Sequence, residues 1–373
     1  MKFVLFCHSL TSDWNHGNAH FLRGIVSELM ARGHQVTAYE PADGWSVGCL
    51  LAEEGQRAVA DFRRRFPHLR PLAYRDAAPD LDQALEHADV VLVHEWNPPE
   101  LLARIGRHRR RAGSRYRLLF HDTHHRAVSA PADLERYPLE DFDGTLAFGA
   151  AVAEVYRQRG WGKRVWVWHE AADTRVFRPP GEDGSRKTAD LVWIGNWGDG
   201  ERSQELRDFL LEPARAAGAA GSVYGVRYPS EALSAVVGAG LEYRGWLANH
   251  RVPEVFHRHR FTVHVPRRFY RDSLPGIPTI RVFEALAAGI PLISAPWADT
   301  EGLFAAGRDY LSVSDSVQMA DAMRALGNDD AMASELAASG RTTIERRHTC
   351  AHRVDELLAI CAELDELPRA AAS

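Results

Sequence analysis

Lysine is almost missing from this 373-residue chain: it occurs only at Lys2, Lys163 and Lys187, and arginine supplies nearly all the positive charge. With the many alanines, that bias points to a GC-rich, bacterial genome. Cysteine is scarce too, and Cys7, Cys49, Cys350 and Cys361 lack the paired spacing of a metal knuckle, which fits a reducing compartment. No apolar run reaches the roughly 20 residues of a membrane-spanning helix, so no integral membrane segment is expected. Phe3 to Phe6 runs straight into polar residues instead of continuing as a secretion signal, and a cytoplasmic protein is expected. The net charge of -5 offers no basic surface, so nucleic acid is not expected as a partner. There is also no G-x-G-x-x-G, which argues against a nicotinamide or flavin site.

What is present is an ordinary globular composition, 45% hydrophobic and 25% charged, over a length that favours two domains. In the first half, short apolar runs alternate with helical periods. Phe3–Phe6, Val36–Tyr39, Val90–Val93, Leu118–Phe120, Thr145–Phe148 and Val165–Trp168 read as strands. Ala19–Ala31, Pro98–Arg111 and Ala150–Arg159 read as helices. Residues 43–88 read as an inserted helical segment around Val59 and Phe62, with a second helix near Leu81 to His87. The second half repeats the scheme after the polar stretch Gly181 to Asp190. Strands are expected at Leu191–Ile194, Val223–Gly225, Leu241–Tyr243, Phe261–Val265, Pro291–Ser294 and Tyr310–Val313, and a long broken helical tail over Ala331–Cys361. Such alternation predicts an α/β fold of mostly parallel, doubly wound sheets.

Ligands of open α/β sheets bind at the carboxyl ends of the strands. In the first half those ends carry His8, Glu40, His94-Glu95 and His121-Asp122, while Thr11 to Asn18 brings His16 and Gly17 to the mouth of the first helix. His121, His124, His125, His16 and His20 admit three readings: a metal site, capping histidines, or substrate contacts. The carboxylates a metal would add follow no recognisable pattern, so no metal is expected.

The stretch Gly276 to Pro296 organises the second half. Pro278 and Thr279 open a helix, with the threonine hydroxyl as a cap, and Gly289 closes it. Ile280, Phe283 and Ala287 share its core face, and Arg281, Glu284, Ala285 and Ala288 the other. A helix N-terminus attracts anions, and Arg281 in the first turn adds a planar cation. The other reading of Arg281 and Glu284 is an ordinary surface pair. Arg202 precedes a helix, and Arg267 and Arg268 follow a strand, so several arginines stand where one anionic ligand would bind. Trp246 stacks a base or fills the core.

RVFEALAAGIPLIS resembles the donor-binding helix and strand of GT-B glycosyltransferases, in the retaining, glycogen-synthase-like superfamily and its spore-maturation-type branch. DTRVFRP resembles the passage between their two domains, GHQVTAYE and IGNWGDGERSQEL match stretches of each, and HDTHH an acceptor-side loop. The resemblance covers nearly the whole chain. It implies two Rossmann-like domains facing a central cleft: residues 1–172 on the acceptor side, 173–345 for the donor, and a tail over 346–373 packing back on the first.

By that resemblance the chain is an enzyme moving a sugar, without cofactor or metal, from a UDP- or GDP-linked donor to a small-molecule or glycan acceptor. Glu284 would hold the ribose, and Arg202, Arg268 and Arg281 the pyrophosphate, beside Gly195, Asn196, Trp246 and Thr279. His121 and Asp122 would meet the acceptor hydroxyl, near His16, Gly17, His94 and Glu95. Many relatives carry a glutamate where Gly276 stands, so the backbone amides of Gly276 and Ile277 are expected to take its place. A nucleotide-sugar epimerase, a non-catalytic coat or assembly protein, and a metal hydrolase are the competing readings.

Overall fold

The computed structural model describes residues 1–75, 78–111, 116–181, 186–198 and 200–366. Residues 182–185 of the expected 181–190 linker and the end of the expected tail, 367–373, lie outside the described residues, as does Asp199. The chain divides into two compact units. The first gathers Met1–Ser12, Leu22–Glu170 and the C-terminal helix from Cys350; the second gathers Asp13–Phe21 and Ala171–Thr349.

The first unit holds a seven-stranded sheet in the order β3-β2-β1-β4-β5-β6-β7. Its strands are β1 (Lys2–Phe6), β2 (Gln35–Pro41), β3 (Leu72–Tyr74), β4 (Val90–His94), β5 (Arg117–Asp122), β6 (Gly144–Ala147) and β7 (Val165–Val167). Every adjacent pair is parallel. A parallel sheet is covered on both faces, which is why β4 is an unbroken apolar run and buried at every position. The second unit holds a six-stranded parallel sheet in the order β10-β9-β8-β11-β12-β13. Its strands are β8 (Ala189–Ile194), β9 (Gly221–Tyr224), β10 (Leu241–Tyr243), β11 (His259–His264), β12 (Leu292–Ser294) and β13 (Leu311–Ser312). Leu191, Val223, Phe261, Val263 and Ile293 anchor its core. Each such burial contributes about 1.5–3 kcal/mol. The doubly wound α/β fold expected from the alternation is therefore present in both units.

The helices used below are α1 (Ala19–Ala31), α2 (Trp45–Glu54), α3 (Gln56–Arg65), α4 (Ile280–Ala288), α5 (Asp330–Arg347) and α6 (Cys350–Glu366). Three expectations need correction. The insertion at 43–88 is not wholly helical, because β3 joins the sheet edge and only Leu81–Ala84 forms the later helix. α4 is not two-faced: every residue but Arg281 is buried. Its N-cap Thr279 makes no side-chain capping bond, so the hydroxyl does not close the helix. The C-cap is as expected, with Gly289 at φ +71°, a left-handed conformation that costs glycine least. The tail is two helices, α5 and α6, separated at His348-Thr349. No helix of the described residues is long and apolar enough to cross a membrane.

Candidate active site

In the second unit three segments bring a basic cluster together. Arg202 is the N-cap residue of the helix that follows β8, and it is only 8% exposed. Its guanidinium donates to the Asn196 carbonyl at 2.9 Å, to Asn196 Oδ1 at 2.7 Å and to the Val265 carbonyl at 3.3 Å. It lies over the Trp193 ring at 5.2 Å. Gly195 permits this approach, since a Cβ there would stand 2.8 Å from the Trp193 ring and 3.2 Å from Arg202 Nη2. All three acceptors are neutral, and Arg202 Nε is buried with no partner among the described residues. Burial and the neighbouring Arg267 push the guanidinium down to about 9. A buried cation with no carboxylate of its own is expensive unless an anion supplies the missing charge.

Arg267 stands beside it, donating to Asn196 Oδ1 at 3.4 Å and pairing with Glu201. Arg268, expected in the cluster, is turned away: it pairs with Glu205 at 2.9 Å and is 46% exposed. The correction has a backbone cause. Arg267 is an extended N-cap (φ -68°, ψ 149°), whereas Arg268 is the first residue of the helix it opens, so the two side chains leave in different directions.

On α4, Glu284 is fully buried. Its Oε1 accepts from Asn249 Nδ2 at 2.6 Å, and Oε2 from Arg281. Neither reading of the Arg281–Glu284 pair is complete, since the pair is formed yet lies inside. Burial raises the Glu284 carboxyl, with Arg281 and Asn249 opposing. His20 approaches Oε1 through Nδ1 at 3.7 Å, while its Nε2 accepts the Asp173 amide at 2.9 Å, so Nδ1 carries the proton. The Asp13–Phe21 segment completes this part. Asn15 accepts from Asn196, Asp13 accepts the Asn249 amide at 3.2 Å, and Ile280 packs 3.1 Å from where a Cβ on Gly17 would be. His16 lies buried in the same segment. Asn249, Asn15 and Asp13 escaped the expected donor set; each touches its partner across a long stretch of chain, which no local pattern reveals.

Gly276 also differs from expectation. Its N–H is taken by the Ala298 carbonyl at 2.8 Å, which leaves only the Ile277 amide of the expected pair. At φ +93° a side chain is strained, and a Cβ would collide with Thr300 Oγ1 and stand 3.3 Å from the Glu301 carboxylate. A glutamate here would have to displace the Thr300 and Glu301 side chains and adopt a strained backbone. Trp246 is half-buried, with its indole N–H buried and unpartnered among the described residues.

In the first unit, His94-Glu95 and His121-Asp122 end β4 and β5 side by side, with His94 paired in register to His121. All four are at most 1% exposed. Glu95 does not present itself to a ligand: Oε1 accepts the Thr123 amide at 2.8 Å and its hydroxyl at 2.9 Å, and Oε2 pairs with Arg126 at 3.0 Å. His94 Nε2 reaches Thr123 Oγ1 at 3.2 Å. Asp122 accepts from the Tyr156 hydroxyl at 2.7 Å and the His124 amide at 3.0 Å, and burial raises its carboxyl. His121 packs edge-on to Trp168 at 4.8 Å, and burial pushes it down to about 3. A neutral imidazole this hard to protonate is a poor proton acceptor at pH 7. The set shapes the loop Thr123–Arg126 from beneath. Among the described residues, no three His, Cys, Asp or Glu side chains are grouped to hold a metal ion.

The chain resembles known glycosyltransferases in part of its sequence and throughout its fold. Residues 202–359 match a protein family described as glycosyl transferase-like. No curated protein matches the chain in sequence. Among solved structures, Anabaena HepE in complex with UDP and glucose is 15% identical over 97% of this chain and 100% of its own, with a TM-score of 0.68. A glycosyltransferase from Rickettsia africae is 9% identical over 98% and 99%, with a TM-score of 0.65. T4 phage BGT in complex with UDP and Mn2+ is 12% identical over 98% and 100%, with a TM-score of 0.61. The chain thus has the GT-B fold over 97% of its length and a glycosyl transferase-like region over residues 202–359.

Proposed function

We propose that the protein transfers a sugar from a UDP- or GDP-linked donor to a hydroxyl of a small-molecule or glycan acceptor, with retention and without a metal, in the cytoplasm of a bacterium. Residues 173–345, joined by the Asp13–Phe21 segment, hold the donor, the rest of residues 1–172 holds the acceptor, and the helix from Cys350 belongs with the acceptor side. The observation that carries the reading is Arg202, a buried guanidinium with only neutral acceptors and two further arginines in its field. A pyrophosphate is the anion whose charge and size answer such a cluster.

Breaking the bond between anomeric carbon and phosphate makes negative charge grow on the leaving diphosphate. Fixed cations stabilise that charge more than the ground state. Arg202, Arg267 and Arg281 take the pyrophosphate, with the Ile277 amide and the opening of α4 at Thr279. Gly195 and Asn196 lie under it, and the Gly276 turn, closed by Thr300 and Glu301, borders the donor. Glu284 has about four acceptor positions and spends two on Asn249 and Arg281, so capacity remains for ribose hydroxyls. Trp246 offers its ring to the base. His16 and Gly17 border the donor sugar. His121, Asp122, His94 and Glu95 act as positioning residues for the acceptor loop, and the leaving phosphate takes the acceptor proton.

Calorimetric titration of UDP, GDP, ADP and TDP tests the donor assignment. One nucleotide is expected to bind, and a ligand at 100 times its Kd should stabilise the fold by about 2.7 kcal/mol. No binding by any of them would overturn it. Transfer should continue in EDTA; activity lost there and restored by Mn2+ would remove metal independence.

A further inference from the structure

The first unit contains a cavity of about 610 Å³ that none of these roles uses. Its walls come from α2, α3 and the ends of β2 and β3, with Val47, Leu51, Val59, Phe62 and Phe66 as the apolar surface. The volume is that of a drug-sized ligand site. The wall is prebuilt: the Arg23 guanidinium lies over Phe62 at 4.9 Å and Phe66 at 5.4 Å, and donates to the Leu10 carbonyl at 2.7 Å and the Thr11 carbonyl at 3.2 Å. The rings are thereby tied to the loop that floors the cavity at Thr11.

The charged residues of its lining differ in how they are met. Glu40 at the floor is satisfied, accepting from Ser9 Oγ at 3.0 Å, Leu10 N at 2.7 Å, Thr11 N at 3.1 Å and the Thr11 hydroxyl. Arg63 and Arg70 are exposed, line the same cavity, and form no ion pair among the described residues. An apolar wall edged by two unneutralised guanidinium groups matches a molecule with an apolar body and an anionic group.

We propose that this cavity seats the acceptor and that the acceptor is a small amphipathic anion, its rings or chain against Phe62 and Phe66 and its acidic group at Arg63 and Arg70. The inference rests on the glycosyl-transfer reading. Thr11 is two residues before the Asp13–Phe21 segment, whose Asn15 and His20 reach Asn196 and Glu284. An occupant held at Thr11 therefore lies next, along the chain, to residues of the donor site.

The probes are 1-anilinonaphthalene-8-sulfonate and its uncharged counterpart N-phenyl-1-naphthylamine, titrated by fluorescence into the folded protein with and without saturating UDP. Wild type should bind both at one site, with or without UDP, because donor and acceptor must be held together. Arg63→Glu/Arg70→Glu should weaken the sulfonate at least 10-fold and leave the neutral probe within 3-fold. Leu51→Trp, which fills the cavity, should weaken both. UDP affinity should be unchanged in each variant, and melting curves confirm that each is folded. Equal loss of both probes in the charge-reversed variant, no effect of Leu51→Trp, displacement of the probes by UDP, or no probe binding while UDP still binds would each overturn the proposal. Failure of UDP itself to bind wild type would instead strike the donor assignment on which it rests.

Discussion

Arg202→Met replaces the buried guanidinium by a neutral chain of similar reach, and its effect is calculable from the site. Arg202 has three neutral acceptors and an unused Nε, so a bound diphosphate would be its first anionic partner. Losing a buried, hydrogen-bonded charge from one side of a pair costs about 2–5 kcal/mol. With a middle value of about 3 kcal/mol, the Kd for UDP should rise roughly 100- to 200-fold. Inorganic pyrophosphate should lose as much, because the contact is to the phosphates and not to the base. Arg268→Met is the control: its side chain is 46% exposed and already paired with Glu205, so UDP affinity should stay close to wild type. Isothermal titration of UDP and pyrophosphate into the three proteins, with melting curves beside it, reads all these numbers. Equal losses in the two variants would mean that the buried cluster is not the phosphate site. Undiminished pyrophosphate binding in Arg202→Met would mean that Arg202 is purely structural.

Glu284→Ala should cost stability as well as affinity: it leaves the buried Asn249 amide without its acceptor and the partly exposed Arg281 without its partner, a loss of about 1–3 kcal/mol by denaturant melts, whereas Glu284→Gln should recover part of it. Wild-type stability in Glu284→Ala would show that the pair is not held inside. Gly276→Ala meets both the strained φ of +93° and the Thr300 hydroxyl, so it should destabilise by about 1–3 kcal/mol; a neutral result by urea unfolding would mean the loop relaxes freely. Acid should unfold the protein early. Burial holds His8 down to about 4, and His121 and His264 down to about 3, while in the unfolded chain they protonate near 6.5. The unfolded state therefore binds more protons below pH 6.5, and each histidine removes up to about 1.4 kcal/mol per pH unit from there towards its folded value. Melting temperature should fall steeply between pH 6.5 and 4, and His264→Gln should shallow that slope; a flat profile would refute the assignment.

How far the sequence could be read depended on whether a feature is local. Parallel strands are buried on both faces, so Val90–His94 and Arg117–Asp122 announce themselves as apolar runs ending in polar residues. β3 does not: it is three residues long, and Leu72 is 50% exposed at the sheet edge. Within the 43–88 insertion Val59 and Phe62 mark α3, whereas nothing local marks α2 or the two short helices Arg126–Ser129 and Pro131–Leu134, none of which has a side-chain cap. Strand-end position pointed to both Arg267 and Arg268 but could not say which of them stands beside Arg202. One residue's change from extended to helical backbone makes that choice.

The same limit explains the two glutamate questions, and there the structure goes beyond pattern. Seen alone, α4 offers Arg281 and Glu284 at i, i+3, a spacing equally suited to a solvent-exposed pair and to a site. What separates the cases is Asn249, 35 residues away in the chain, which closes over Oε1 and takes the carboxylate out of solvent. Gly276 looks like the loss of a side chain, yet its position is filled from elsewhere. Thr300 occupies the place a Cβ would take, and the Glu301 carboxylate stands 3.3 Å from it. A substitution that seems to empty the loop thus leaves it crowded, and with a carboxylate still beside it. Restoring a glutamate at 276 alone would have to displace both neighbours, so a change there is meaningful only together with Thr300 and Glu301.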